Sequence, residues 1–215
     1  MKAFCDLDGT LIDVAPRHYR VYAEVTQVLG GEPLEQQTYW ARKRQKTRWP
    51  ELLHASKLAS DVEQDFLARF IDKIEAPAYL EQDALFPGAR DALELLAERA
   101  TERYLVSLRR QPTRLMAQLE RLDVMQFFTD VLSGHSDNDG SDVKIELIGG
   151  KLTPPHRAAI VIGDTEADIA AGKHLGLTTV AVTSGIRDDA FLRALEPDYL
   201  LDSVGQLASV LAAIE

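Results

Sequence analysis

One cysteine, Cys5, is present among 215 residues, so no internal disulfide can form. Apolar runs are short, and none approaches the ~20 residues of a membrane span. Positive charge is in deficit: 24 Lys and Arg stand against 34 Asp and Glu, a net −10 that argues against broad nucleic-acid binding. Acidic residues arrive by position 6, so no basic-then-apolar signal segment is expected and the cytoplasm is the simplest expected address. Internal repeats, low-complexity tracts and long linkers are also missing. What is present is 46% hydrophobic content over a length that fits one large domain, or a core with a smaller insert.

The pattern along the chain changes character twice. Met1 to about Asp13 reads as a strand and a turn. Residues 15–83 show helical periodicity and no convincing strand. Tyr22, Val25, Val28 and Leu29 form one apolar face there, and Leu58, Val62, Phe66, Phe70 and Ile74 recur at steps of three and four. A helix opens at Pro87-Gly88. Short β-rich runs then alternate with helices: strands near 103–107, 158–164, 178–185 and 198–203, helices near 112–122, 166–175, 188–195 and 204–214. Such alternation implies βαβ units and a parallel sheet. The expected fold is a Rossmann-like α/β core, residues 1–14 and 84–215, carrying an all-helical insert at 15–83.

In such sheets ligands bind beyond the carboxyl ends of the strands. The first strand ends in "FCDLDGTLID", with Asp6 and Asp8 one residue apart. Two carboxylates so close repel one another strongly in a dry site unless a cation sits between them. The 103–107 run ends in Ser107, and the 158–164 run ends in Gly163-Asp164 with Asp168 one helical turn on. Asp6, Asp8 and Asp164 together suit Mg²⁺, which prefers carboxylates, waters and phosphate oxygens. A carboxylate can also attack phosphorus, a second can serve as acid and then base, and Ser107, Lys144 and backbone N–H groups can hold the phosphoryl oxygens.

These motifs resemble the haloacid dehalogenase-like superfamily in its phosphatase branch, with a phosphoglycolate phosphatase-like pattern. "DLDGTL" matches the first motif, which implies Asp6 as nucleophile and Asp8 as general acid/base, the Asp8 carbonyl also binding metal. Ser107 matches the second motif. "GDTEAD" matches the fourth, implying Asp164 as metal ligand and Asp168 as its supporting partner. Lys144 resembles the third-motif lysine in a "K-x-E-L-I" variant, 20 residues before Asp164, with Lys151 the competitor at 13. The insert falls where the family places a helical type 1 cap. The resemblance implies a Mg²⁺-dependent phosphatase acting on a small phosphorylated metabolite through phospho-Asp6, without nucleic-acid or membrane partners. A phosphomutase with the same core, or a non-catalytic phosphate- or metal-binding module, are the rival readings.

Several features read more plainly. Thr10 could bind substrate but is expected to hydrogen-bond its own turn, and Cys5 to be a small core residue. "RKRQKTR" places Arg42, Lys43, Arg44, Lys46 and Arg48 on a solvated face, one or two of them able to hold an anionic substrate tail. Arg109 or Arg110, just after Ser107, could touch substrate. "HSDNDGSD" at 135–142 lacks EF-hand spacing and reads as a polar loop.

Overall fold

The computed structural model describes residues 1–136, 140–153 and 159–214. It divides into two compact units, one formed by Met1–Asp13 with Ala84–Glu215, the other by Val14–Asp83.

The first unit is built on six parallel strands flanked by helices, in the order β5-β4-β1-β6-β7-β8. The strands are β1 (Lys2–Cys5), β4 (Glu102–Ser107), β5 (Asp130–Ser133), β6 (Ala159–Gly163), β7 (Thr178–Val182) and β8 (Tyr199–Leu201). The central strands are covered on both faces, so β6 reads as a continuous apolar run, "AIVIG", and β1 as "AFC" behind a partly buried Lys2. The edge strand β5 was not evident in sequence because it buries only Leu132 and leaves Asp130 exposed. Two further residues pairs, β2 (Ile12–Asp13) and β3 (Ala84–Leu85), form a separate antiparallel ladder with Ile12 opposite Leu85. It stitches together the points where the chain leaves this unit and re-enters it.

Side chains of a strand alternate between faces. On one face Phe4 of β1, Tyr104 and Val106 of β4, and Ala159 and Val161 of β6 share a core with Ile148 and Ala171. Ile148 belongs to α8 (Ser141–Gly149) and Ala171 to α9 (Glu166–Leu175), so these two helices cover that face. Phe4 stacks on Tyr104 with ring centroids 5.1 Å apart. Asp6, two residues beyond Phe4, therefore emerges on the face that α8 and α9 cover. Cys5 alternates away and is buried, as expected, with its thiol pKa raised by burial and by the neighbouring Asp6 charge.

The second unit contains only helices among its described regular elements, including α1 (Ala15–Val28), α2 (Gln36–Arg44), α3 (Trp49–Ala55) and α4 (Glu63–Ile74). Its core is aromatic: Tyr22 stacks on Tyr39 at 4.1 Å, and Trp49 packs against Phe66 and Phe70 at 5.1 Å each. The expected face of α1 holds for Tyr22 and Val25, but Val28, the last residue of the helix, is 64% exposed. Leu58 and Val62 precede α4 rather than lying on it, and only Phe66 and Phe70 of that series are buried on the helix. At the base of the unit Arg17 of α1 is fully buried and donates from Nε to Asp83 Oδ1 at 3.0 Å and from Nη1 to the Ile74 carbonyl at 2.9 Å. No helix among the described residues is long and apolar enough to cross a membrane. Residues 137–139 of the polar 135–142 segment, and residue 158 at the head of one expected strand, lie outside the described residues.

Candidate active site

Asp6 continues β1 by one residue, its N–H donating to the Ile162 carbonyl of β6 at 2.9 Å. The chain then turns sharply: Thr10, Leu11 and Ile12 all donate backbone N–H groups to the Leu7 carbonyl, and Gly9 takes a left-handed φ of +89°. This turn returns the Thr10 hydroxyl to the strand end, 3.2 Å from Asp6 Oδ2 and 3.1 Å from Asp164 Oδ1. Thr10 was expected to hydrogen-bond its own turn, which the contact with Asp6 four residues back does; the hydroxyl also reaches Asp164. A hydroxyl has one proton, so it can donate to only one of the two carboxylates at a time.

The other oxygen of Asp6 is held from below. Lys144 Nζ, on the first turns of α8, donates to Asp6 Oδ1 at 2.7 Å and to Asp168 Oδ1 at 2.5 Å. Asp168 in turn accepts on Oδ2 from the Thr165 hydroxyl at 2.7 Å and the Thr165 N–H at 3.2 Å, which closes the start of α9. Gly163 is glycine for a reason of space, because a β-carbon there would collide with the Asp168 carboxylate. Lys151, the other candidate lysine, pairs with Asp130 at 2.9 Å and donates nothing to Asp6 among the described contacts.

Asp164 follows β6 and is fully buried. Its Oδ2 accepts the Ile186 N–H at 2.5 Å, and its carboxylate lies between Gly9 and Gly185, where a β-carbon on either would strike it. The Gly185-Ile186 contribution was missed in sequence. The strand-end rule offered the signal, since the "TSG" turn follows β7.

Asp8 stands apart from this group. Its two oxygens are gripped by Arg109, Nε to Oδ2 and Nη2 to Oδ1, the latter at 2.6 Å. Arg109 Nη2 also donates to Gln118 Oε1 at 3.0 Å on α7 (Pro112–Arg121). Arg109 was read as a residue that could touch substrate; here its partner is Asp8. Ser107 is buried at the end of β4, the strand beside β1.

The electrostatics follow from burial. Asp6 is raised from 3.8 to about 7, chiefly by desolvation, with Lys144 opposing and Asp168 and Asp8 adding repulsion. Asp164 is raised well above its ordinary value by burial and then by the charges of Asp6 and Asp168. Burial works against the Lys144 ammonium, but Asp168 and Asp6 outweigh it and hold the lysine protonated. Asp6, Asp164 and Asp168 each offer an oxygen within 4.8 Å of the others. Four carboxylates, with Asp8 counted, face two cations, Lys144 and Arg109. Fully ionised, these acids would outnumber the cations by two; that excess, and a Thr10 proton that cannot serve both Asp6 and Asp164, fit a divalent cation with oxygen ligands.

An acid at the carboxyl end of a central parallel strand, backed by a buried lysine and a second buried acid, defines an α/β enzyme with a polar strand-end site. The chain belongs to the haloacid dehalogenase-like hydrolases, whose family model matches residues 3–176. Among curated relatives, the phosphoglycolate phosphatase of Vibrio parahaemolyticus is 24% identical, covering 96% of this chain and 94% of that protein. The phosphoglycolate phosphatase of Synechococcus elongatus is 27% identical over 94% and 92%. A haloacid dehalogenase-like hydrolase of Streptococcus pneumoniae shares the fold with a TM-score of 0.77 at 23% identity, covering 100% of this chain and 98% of its own.

Proposed function

We propose that this chain is a Mg²⁺-dependent phosphatase that hydrolyses a small phosphorylated metabolite through a phospho-Asp6 intermediate. The observation that carries the reading is the setting of Asp6. It ends β1 with Oδ1 on Lys144 and Oδ2 on the Thr10 hydroxyl, beside the buried acids Asp164 and Asp168. Oriented in this way, an Asp6 oxygen is the nucleophile that attacks phosphorus. Lys144, buried and protonated, keeps that carboxylate aligned and offsets the charge around it.

Asp8 hands a proton to the leaving alcohol and then takes one from the water that opens phospho-Asp6. Ser107 at the neighbouring strand end donates to a phosphoryl oxygen. Asp6, Asp164 and the Asp8 carbonyl would hold Mg²⁺, with Asp168 supporting through Lys144. When bound, the ion supplies positive charge for the phosphoryl oxygens and relieves the repulsion among the acids. Residues 15–83 take the part of the cap that the family resemblance implies. The names of the curated relatives support phosphoglycolate as the first substrate to try.

The test is phosphate release with Mg²⁺ from a panel of sugar phosphates, phosphoglycolate, nucleoside monophosphates and an aryl phosphate, comparing wild type with Asp6→Asn. Turnover by wild type and silence from the variant is the expected result. Silence from a folded, Mg²⁺-binding wild type overturns the phosphatase reading. Persistence of phospho-Asp6 until a sugar phosphate is added would instead mark a mutase.

A further inference from the structure

One contact in the site does more than balance charge: the pairing of Arg109 with Asp8. Arg109 is a nearly buried cation, its side chain 4% exposed against 21% for its partner Asp8, and its fork engages both Asp8 oxygens. A guanidinium that grips a carboxylate with two parallel bonds fixes the plane and rotation of the carboxylate, which a single contact cannot do. The fork is itself held, because Nη2 also donates to Gln118 on α7 at 3.0 Å. The chain Gln118–Arg109–Asp8 thus runs from a buried helix face to the one acid of the site that is partly open to water.

We infer that Arg109 is a positioning residue that acts through Asp8, setting its carboxylate as the base for hydrolysis of phospho-Asp6. This rests on the phosphatase reading and adds a division of labour to it. In the second half-reaction a water oxygen donates a lone pair to phosphorus and gives a proton to Asp8. The bond from phosphorus to the Asp6 oxygen breaks, and its electron pair returns to the Asp6 carboxylate. The rate of that step depends on how Asp8 presents its oxygens to the water, which is what the fork controls. Formation of phospho-Asp6 from an ester with a good leaving group needs no proton from Asp8, so it does not depend on Arg109.

The experiment uses an aryl phosphate with wild type, Arg109→Lys, Arg109→Gln and Gln118→Ala. In Arg109→Gln the steady-state kcat is expected to fall roughly 100-fold, the bottom of the range general acid–base catalysis typically spans. KM falls with it and kcat/KM stays within about 3-fold, because only the step after the first release of alcohol is slowed. A burst of aryl alcohol accompanies the slow phase. Arg109→Lys keeps the charge but loses the fork and falls nearly as far. Gln118→Ala shows the same pattern more weakly, and keeps the question answerable if the arginine variants do not fold. Asp8→Asn combined with Arg109→Gln is no slower than Asp8→Asn alone. Loss of kcat/KM in proportion to kcat, or an unchanged kcat in Arg109→Lys and Gln118→Ala together, overturns the inference. An inactive wild type would instead condemn the phosphatase reading, so the two failures are separable.

Discussion

Lys144 Nζ lies 2.7 Å from Asp6 Oδ1, joining by a buried ion pair two residues 138 apart in the chain. The alternation of β1 sends Phe4 and Asp6 to the same face, and α8 lies over that face with Lys144 directed at the strand end. Removing the lysine leaves Asp6 and Asp168 buried without their cation. Lys144→Met is expected to cost about 3–5 kcal/mol of stability, the usual penalty for orphaning one half of a buried pair. Phosphate release should fall by at least about 10²-fold as the alignment of Asp6 is lost. Urea unfolding and turnover measured on the same preparation check both; a stable, active variant contradicts the pairing.

Asp6 predicts a pH dependence of the metal-free protein. Its carboxyl is raised from 3.8 to about 7, mainly by burial, so between these values the folded protein holds a proton that the unfolded chain has released. The contribution to stability is fully present below pH 3.8 and is lost as the pH rises through about 7. Asp164, raised for the same reason, acts in the same direction. Thermal melts in chelator should therefore decline across that window, and Asp6→Asn should flatten the decline. Mg²⁺ added above pH 7 should restore the midpoint by binding the ionised acids. A chelated profile that is level in wild type would count against this.

Gly185 stands against Asp164 so closely that a β-carbon would strike the carboxylate and the Gly9 carbonyl. Gly185→Ala is expected to displace Asp164 from the Ile186 N–H, weaken Mg²⁺ binding and cost about 1–3 kcal/mol, as overpacking commonly does. Calorimetric titration with Mg²⁺ and a thermal melt report the two effects. Unaltered Mg²⁺ affinity would show that Asp164 takes no part in holding the ion.

How much of this could be read beforehand depended on how strongly each residue's neighbours were local. β1 and β6 were legible because central strands bury both faces and so carry runs of buried apolar residues. The placement of Asp6, Ser107 and Asp164 was legible because they stand at the ends of such runs. β5 was not, since an edge strand with a single buried residue leaves no pattern. Val28 was misassigned to a buried face because periodicity does not say where a helix outruns its packing. The link from Arg109 to Asp8, and that from the Thr10 hydroxyl to Asp164, are contacts across 101 and 154 residues respectively. Such contacts depend on the path of the folded chain and have no local signature.

A buried pair with no place in the chemistry offers a further check. Arg17 and Asp83 join the first helix of the second unit to its last residue at 3.0 Å, both side chains almost wholly enclosed. Arg17→Met alone should destabilise by about 3–5 kcal/mol, whereas Arg17→Met with Asp83→Leu should recover most of that loss, since an apolar pair escapes the desolvation that an ion pair bears. Denaturant curves of the two single variants and the double variant test this, and equal losses in single and double variants would refute it.

The two-residue ladder of Ile12–Asp13 with Ala84–Leu85 brings the exit and return of the chain to adjoining positions. A segment whose ends meet in this way can lengthen, shorten or be exchanged without shifting the register of any strand in the sheet. A chimera carrying another helical segment between positions 13 and 84 should keep the sheet intact.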